Sequence, residues 1–360
     1  MATATSQYEP DYAVPPGWVL KDRLDAQGMT PAELARRCGR SAKLISEIVA
    51  GKAPIEPRTA LQFEKVLGVD AEIWLGIETD YQLQRTRAAE AEAELAAAAW
   101  AKSFPVRELA KRGFKPAPGG NPVSALLSFF GVASVEAWHI KYGEASVAYR
   151  HSPSFASDRF ALAAWLRLAE HDAAGQPCAT YREPAFREAL AEVRGLTRAP
   201  IAKSIQEARR LCNGAGVALS LIEPLPKARL SGAAWWHSAR RPIIALSARH
   251  KTDDHLWFSL FHEAAHILLH GKKSVFVDGS DNDGNDMEIE ANAWAANFLV
   301  PRTDWRRFTR LGVYARAAVL QFAEEQEIAP GIVVGSLQHE GLLPWNHLND
   351  LKARLQWTGE

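Results

Sequence analysis

The N-terminal part of the chain consists of short apolar-periodic runs separated by glycines. From Gly17 to Asp80 the apolar positions recur at helical spacing, and Gly28, Gly39 and Gly51 each end a run. Glycine favours the left-handed backbone that closes many helices, so this pattern predicts several short helices. The next run, YQLQRTRAAEAEAELAAAAWAKSF, is rich in Ala, Glu, Leu and Arg. These residue types favour one long helix.

The period of the apolar positions changes in the C-terminal half. Helical spacing continues past the turn-rich KPAPGGNP (Lys115–Pro122) to about Leu211. VALSLIEPL then predicts a strand, and LSGAAWWHS and IIALSA, separated by ARRP, predict a hairpin. Two further helical runs follow, on either side of an acidic, glycine-rich loop. The sequence therefore predicts a mainly α protein with a small β-sheet.

The composition indicates a folded globular chain without naming a partner. Apolar residues make up 47% of the 360 residues, enough for a sizeable core, and 42 basic residues balance 42 acidic ones. Any nucleic-acid signal must therefore be local. The three distant cysteines fit free thiols in a reducing compartment. Neither a secretion signal nor about 18 uninterrupted apolar residues is present, so we expect a cytoplasmic protein with no membrane span.

The apolar run LWFSLFHEAAHILLHG (Leu256–Gly271) holds three histidines and a glutamate. His262 and His266 lie four residues apart, which places both rings on one helix face, where they can hold a zinc ion. Glu263 can reach a water molecule at that ion, as a general base must. Alternatively, the histidines cap or pair locally. Polar groups in so apolar a run nevertheless need a partner, which favours the metal.

A catalytic zinc site needs a third protein ligand and an open position. The nearest downstream carboxylates are Glu288 and Glu290, which cannot share one helix face because they lie two residues apart. We expect Glu290 to be the ligand, because it lies inside the small-residue run EANAWAANFLVP. Glu288 lies nearer the frayed start of that helix.

These motifs resemble the ImmA/IrrE family of zinc metallopeptidases. The matching phrases are FHEAAHILLHG, EIEANAWAANFLVP, the hairpin before them and APGIVVGSLQHEGLLPW, within roughly Ala202 to Trp345. Trp294 stands where the family usually has phenylalanine, a conservative change. The resemblance implies a zincin-like (gluzincin) α+β fold with a Zn²⁺ cofactor. In that fold the three ligands and the base would be His262, His266, Glu290 and Glu263.

Two other histidines have weaker claims to a role in the site. His270 lies two turns from His262, about 12 Å along the helix axis, too far for both to bind one ion. We therefore predict a structural role for His270. His339 would stabilise the oxyanion of a tetrahedral intermediate if its segment folds over the cleft. The alternative is a surface or core histidine.

The segment TPAELARRCGRSAKLISEIVAGKAPI has the layout of a helix-turn-helix. Thr30 is a good N-cap, with proline at the first helical position and Glu33 completing a capping box. Gly39 ends this helix, and Ser41 caps a second one that stops at Gly51. In such a motif the second helix lies in the major groove of DNA. The alternative is a helical hairpin that contacts protein.

The segment from Pro16 to about Arg87 resembles the HigA-type antitoxins of the XRE repressor class, and the match extends into the phrases EIWL and DYQL. The local charge agrees, with five basic residues and one acidic residue between Arg36 and Lys52. The predicted contacts, three with bases and then three with phosphates, are Ala42, Lys43, Glu47, Arg40, Ser41 and Lys52.

Together these features predict three regions. Residues 16–87 form the all-α helix-turn-helix domain, residues 88–200 a helical linker or spacer, and residues 201–345 the metallopeptidase domain. The first hypothesis is a homodimeric regulator that binds a double-stranded DNA operator and cleaves a protein, such as a repressor or toxin partner, in a stress or toxin–antitoxin response. The second is an antitoxin-like repressor whose peptidase fold senses a ligand or binds a partner without proteolysis.

Overall fold

The computed structural model describes residues 14–114, 116, 120–149, 158–271, 276–278 and 286–356. The chain divides into two compact units, Met1–Ala98 and Ala99–Glu360. The N-terminal arm up to residue 13, half of the KPAPGGNP segment (residues 115 and 117–119) and residues 279–285 of the acidic loop lie outside the described residues.

The first unit is built from helices, as the sequence predicts. Thr30 and Ser41 are N-caps whose side chains accept hydrogen bonds from the N–H groups of Glu33 and Leu44. Gly39 closes the second helix with a left-handed backbone at φ 61°. The helices of this unit are α1 (Pro16–Ala26), α2 (Pro31–Cys38), α3 (Ala42–Val49), α4 (Pro57–Leu67) and α5 (Ala71–Ala96).

The core of this unit forms where the apolar faces of the helices meet. Leu34, Ile45 and Phe63 are completely buried in it. Gly17 allows α1 to approach α3 closely, because a Cβ there would lie 2.3 Å from the carbonyl oxygen of Ile48. Helix α5 is continuous past residue 87, so the expected end of the first region falls inside a helix.

The second unit contains the remaining helices and all the described strands. The strands are β1 (Ala218–Leu221), β2 (Gly232–Ser238), β3 (Arg241–Leu246) and β4 (Phe276–Asp278). The helices are α6 (Ala98–Lys102), α7 (Val106–Ala110), α8 (Pro122–Phe130), α9 (Val135–Tyr149), α10 (Arg159–Ala174), α11 (Glu183–Leu196), α12 (Ile201–Gly214), α13 (Asp253–Leu269), α14 (Asp286–Leu299), α15 (Arg302–Arg310), α16 (Arg316–Glu325) and α17 (Pro330–His339). A short 3-10 helix, Asn349–Leu351, follows α17.

The four strands form one sheet in the order β1-β3-β2-β4. The predicted hairpin is confirmed as the antiparallel pair β2–β3, and β1 joins β3 in parallel. The sequence did not predict β4, which pairs with β2 along Gly232 to Ala234, next to the acidic loop. Helix α13 packs on β2 and β3, and helix α10 contacts β1 and β3. The sheet thus supports the histidine-rich helix.

Much of the predicted linker region is part of the second unit. The indole N–H of Trp165 in α10 donates to the carbonyl oxygen of Ile222, 3.1 Å away, and Phe186 and Leu190 of α11 lie in the main hydrophobic core. One stretch, Pro122–Tyr142, is long and apolar enough to cross a membrane by length and composition alone. It consists of α8 and the start of α9, and the chain turns between them at Gly131, which has φ 64°.

The C-terminal segment holds the start of α13. The N–H of Asp253 donates to the carbonyl oxygen of Ala353 (3.0 Å), whose own N–H donates to Asp253 Oδ1 (2.9 Å). Lys352 Nζ lies 2.6 Å from Asp254 Oδ2, and both side chains are buried. Gly331 of α17 leaves room for Asp253, because a Cβ there would lie 2.6 Å from Asp253 Oδ1. These contacts fix the helix that carries the histidines.

Candidate functional site

The two histidines of the HEAAH motif face each other in the interior of the second unit. His262 and His266 are both buried on α13, and their Nε2 atoms lie 3.0 Å apart. The i, i+4 spacing accounts for this, because it places the two rings one turn apart on the same helix face. The predicted pairing of these two side chains is therefore present in the fold.

Glu288 provides the third group of this cluster. Its Oε2 lies 3.1 Å from His262 Nε2, and its Oε1 lies 3.5 Å from His266 Nε2. Glu288 is buried with both histidines, and one ligand atom from each of the three residues lies within 4.8 Å of the others. We refer to His262, His266 and Glu288 as the metal-site triad.

The structure corrects the prediction that Glu290 is the third ligand. The side chain of Glu290 is 61% exposed, and its Oε2 lies 3.3 Å from His270 Nε2. The reason is the face that α14 buries: Ala291 and Ala295 are completely buried, and Glu288 lies on their side at i−3 and i−7. That spacing was a usable signal in the sequence. Glu290 lies off this face despite its place inside the small-residue run.

The electrostatics of the triad suit a cation. Burial alone would raise the pKa of Glu288, but the contacts with His262 and His266 outweigh it and lower that pKa to about 2. Burial is also the main reason that the pKa of His266 falls to about 4. Near neutral pH the site therefore presents an ionised carboxylate and a neutral imidazole, which are the forms that metal ions bind.

A hydrogen bond behind the triad also prepares His262 to bind a metal ion. His262 Nδ1 lies 2.9 Å from Asn292 Oδ1. An amide oxygen only accepts, so Nδ1 carries the proton and Nε2 offers a lone pair to the cluster. Tetrahedral zinc, with bonds of about 2.0–2.1 Å to nitrogen, places its ligand atoms roughly 3.3 Å apart. The distances within the triad are close to that value, so the residues fit a zinc ion.

Glu263 lies beside the triad and against the sheet. Its side chain is completely buried, and a Cβ on Gly232 of β2 would lie 2.5 Å from Glu263 Oε1. A glycine at this position of β2 leaves space for the carboxylate. The general base predicted from the sequence is thus held between the helix that carries the histidines and a strand of the sheet.

The structure does not bring His339 to the triad. It is exposed at the last position of α17. It lies near His255, two turns before His262 on α13, whose pKa is lowered mainly by burial and to a smaller extent by His339. The predicted role in oxyanion stabilisation is corrected, because α17 packs on α13 in a way that leaves this side chain in solvent near the start of α13.

The predicted DNA-facing surface is formed mainly by α3 in the first unit. Ala42 and Lys43 are exposed, and Glu47 is paired with Lys43 at 3.8 Å. The hydroxyl oxygen of Ser41 accepts from the N–H of Leu44 and so caps the helix. Ser46 is exposed three residues after Lys43, on the same face, and the sequence interpretation missed it although the helical spacing indicates it.

The two remaining predicted phosphate contacts differ in their surroundings. Lys52 is exposed just beyond α3. Arg40 is half-buried, and its guanidinium donates to Gln62 Oε1 at 2.7 Å and Thr59 Oγ1 at 3.2 Å. Arg40 therefore also joins the helix-turn-helix to α4, which limits its freedom to meet DNA.

Comparison with protein-family models agrees with both halves of this description. Residues 20–74 match a model described as helix-turn-helix, and residues 218–330 match one described as IrrE N-terminal-like domain. The second match contains the triad and Glu263. None of the curated proteins compared with the chain matches it significantly.

Several solved structures resemble a part of the chain. An antidote protein of a plasmid maintenance system from Nostoc punctiforme is 28% identical, with a TM-score of 0.22, over 22% of this chain and 88% of that one. The Pseudomonas aeruginosa antitoxin HigA, solved with the higBA promoter, is 26% identical, with a TM-score of 0.22, over 23% and 90% of the two chains. At these TM-scores the likeness carries no conclusion about this chain.

The fold and the family matches define a two-module protein. The first module is an XRE-type helix-turn-helix, and the second is an IrrE-like domain of a metallopeptidase family. The predicted resemblances are confirmed for these two modules. The matched residues, 20–74 and 218–330, form shorter segments than the predicted regions 16–87 and 201–345.

Proposed function

We propose that the protein is a DNA-binding regulator whose second unit is a zinc-dependent peptidase. The observation that carries this proposal is the buried convergence of His262, His266 and Glu288 beside Glu263. Two imidazoles and one carboxylate leave a fourth position open, which is the ligand arrangement of catalytic rather than structural zinc.

The chemistry follows from the groups around this position. A zinc ion held by the triad would act as a Lewis acid that makes water more acidic and polarises a peptide carbonyl. Glu263 would take the proton from the attacking water and then pass it to the leaving amine. Its burial keeps competing solvent away, and the glycine at position 232 leaves the space that its carboxylate occupies.

The substrate we propose is a regulatory protein, either a repressor or a toxin partner, that acts in a stress or toxin–antitoxin response. The fused helix-turn-helix supports this choice, because it would hold the peptidase near proteins that share its operator. The first unit would read a double-stranded operator through α3, as a homodimer on paired half-sites in the cytoplasm.

A comparison with Glu263→Gln tests the proteolytic function. This substitution preserves the shape of the buried side chain and removes its basicity. New protein N-termini would be identified by mass spectrometry in cells that express either form, after both purified forms are shown to hold zinc. We expect at least one cleavage that occurs only with the unsubstituted protein. If no cleavage distinguishes the two, the peptidase proposal is wrong.

A second candidate function, ligand sensing without proteolysis, has one observation in its favour. A cavity of about 790 Å³ in the second unit is lined by groups from α8, α10 and the end of β1, including Phe129, His171 and Ile222. Sensing predicts that Ser128→Trp, at an exposed lining position, changes DNA affinity of the full-length protein. It also predicts that Glu263→Gln has no effect on protein N-termini in cells.

A further inference from the structure

The third histidine of the HEAAHILLH segment lies directly behind one of the proposed metal ligands. His270 Nδ1 lies 2.8 Å from His266 Nδ1, and His270 Nε2 lies 3.3 Å from Glu290 Oε2. The chain of contacts therefore runs from the triad through His266 and His270 to Glu290. It joins α13 to α14 a second time, next to the contact made by Glu288.

The proton positions along this chain are determined from its outer end. A carboxylate only accepts hydrogen bonds, so His270 Nε2 donates to Glu290. A neutral His270 then has a lone pair on Nδ1, which accepts from the Nδ1–H of His266. His266 is thereby left with its lone pair on Nε2, the atom that faces Glu288 and His262.

We propose that His270 and Glu290 are positioning residues that fix the tautomer and ring orientation of His266 for metal binding. This inference rests on the proposed zinc site. Partners behind a metal-bound histidine hold its ring and make the ligating nitrogen a better donor, and their loss typically weakens metal affinity by about 10–100-fold. The sequence interpretation made His270 a structural residue and Glu290 a metal ligand. In this proposal both residues instead position His266.

The two ligand histidines are supported unequally. His262 is backed by the neutral amide of Asn292, whereas His266 is backed by a carboxylate through a second imidazole. Burial decreases from His270 to Glu290 along this series of hydrogen-bonded side chains. The side chain of His270 is 5% exposed and that of Glu290 is 61% exposed. Glu290 can therefore be changed without opening the core.

Zinc affinity of the full-length protein tests the proposal, measured by competition with a chromophoric chelator. We expect His270→Ala to raise the dissociation constant by about 10–100-fold and Glu290→Ala to raise it by about the lower of these factors. Glu290→Gln keeps an oxygen that accepts from His270, so it should stay closer to the unsubstituted protein than Glu290→Ala. The absorption spectrum of the Co²⁺ form should shift in His270→Ala.

Controls separate this proposal from the zinc site itself. Thermal unfolding of the chelator-treated variants identifies any loss of fold, and the exposed Glu290→Ala provides a test if His270→Ala unfolds. Zinc affinity within twofold of the unsubstituted value in Glu290→Ala, with an unchanged Co²⁺ spectrum, overturns the positioning role while the metal site stands. An unsubstituted protein that binds no zinc overturns both.

Discussion

At the scale of single residues, the site depends on which of two neighbouring carboxylates is buried. Glu288 lies among the histidines with its side chain 5% exposed, while Glu290 is 61% exposed, although both belong to the same helical turn region of α14. The interior position brings Glu288 into contact with both imidazoles, and these contacts lower its pKa despite its burial. The exterior position limits Glu290 to a contact with His270.

Gly232→Ala tests how tightly Glu263 is held. The added Cβ would lie 2.5 Å from Glu263 Oε1 and 2.9 Å from its Cγ, so the carboxylate must move. We expect proteolysis to fall by about 100-fold or more, the usual contribution of a positioned general base, while zinc content is unchanged. The measurement is kcat/KM for the substrate found by N-terminal mass spectrometry.

Gly195→Ala is the matched control for that substitution. Gly195 lies inside α11 of the same unit, and a Cβ there meets nothing within 4 Å. This variant should retain full activity. Equal activity of the two variants would show that the space at Gly232 is not needed to position the Glu263 carboxylate.

The sequence predicts part of this site because part of it is local. The spacing of His262 and His266 settles their shared face within one helix, so that pair follows from the sequence. The third ligand comes from another helix, and its identity depends on how α14 rotates against α13. The buried positions Ala291 and Ala295 contain that information, but it is read correctly only when the whole helix face is considered.

At the scale of elements, the start of α13 is a buried acidic cluster covered by the C-terminal segment. Asp253 and Asp254 occupy the first turn, where the helix dipole favours negative charge. Lys352 forms an ion pair with Asp254. The backbone carbonyl and N–H groups of Ala353 each form a hydrogen bond with Asp253. The helix that carries the histidines is therefore anchored at the end opposite to His266.

Asp253 should make the stability of the metal-free protein depend on pH. Burial, and then the charge of Asp254, raise its pKa from 3.8 to about 6. The folded state thus holds this proton more tightly than the unfolded state, so stability falls as pH rises from about 4 to 6. Each pKa unit is worth about 1.4 kcal/mol.

Asp253→Asn should remove this slope, since the amide keeps the acceptor oxygen for Ala353 and Asp254. Urea unfolding in the presence of chelator, at pH values between 4 and 6, measures the effect. An identical pH profile for the variant and the unsubstituted protein would contradict the assignment to Asp253.

Lys352→Met tests the buried ion pair in the same cluster. Both side chains are at most 7% exposed, so removing the ammonium leaves the Asp254 carboxylate buried without its cation. We expect a loss of about 3–5 kcal/mol in the free energy of unfolding. The exposed Lys203→Met should change it by only about 0.5 kcal/mol, and a similar small effect at Lys352 would mean that the pair contributes little.

At the scale of the whole molecule, the sequence predicts the two ends better than the middle. Capping residues and glycines define the helix-turn-helix within a short segment, and the HEAAH motif identifies the second module. Residues 88–200 carry no such motif, and their place is decided by long-range packing such as Phe186 in the main core and Trp165 against Ile222. A reading of local patterns therefore predicted a linker where α10 and α11 belong to the second unit.

Lys52→Ala tests the DNA-binding surface in the full-length protein. Lys52 is exposed beside α3, and a lysine that meets a phosphate contributes about one to the salt dependence of binding. Affinity for a random-sequence duplex, measured over a range of salt concentrations, should show a slope shallower by about one. Lys203→Ala, an exposed lysine of the second unit, should leave the slope unchanged. Equal slopes for both variants would exclude Lys52 from the surface that contacts DNA.

The zinc content of two matched variants tests the central claim most directly. Glu288→Gln and Glu290→Gln make the same chemical change two residues apart, inside and outside the triad. After equilibration with excess Zn²⁺ and removal of unbound metal, elemental analysis should find one zinc per chain in the unsubstituted protein and in Glu290→Gln. Glu288→Gln should hold none. If Glu288→Gln retains zinc and Glu290→Gln loses it, the assignment of Glu288 as the third metal ligand is contradicted.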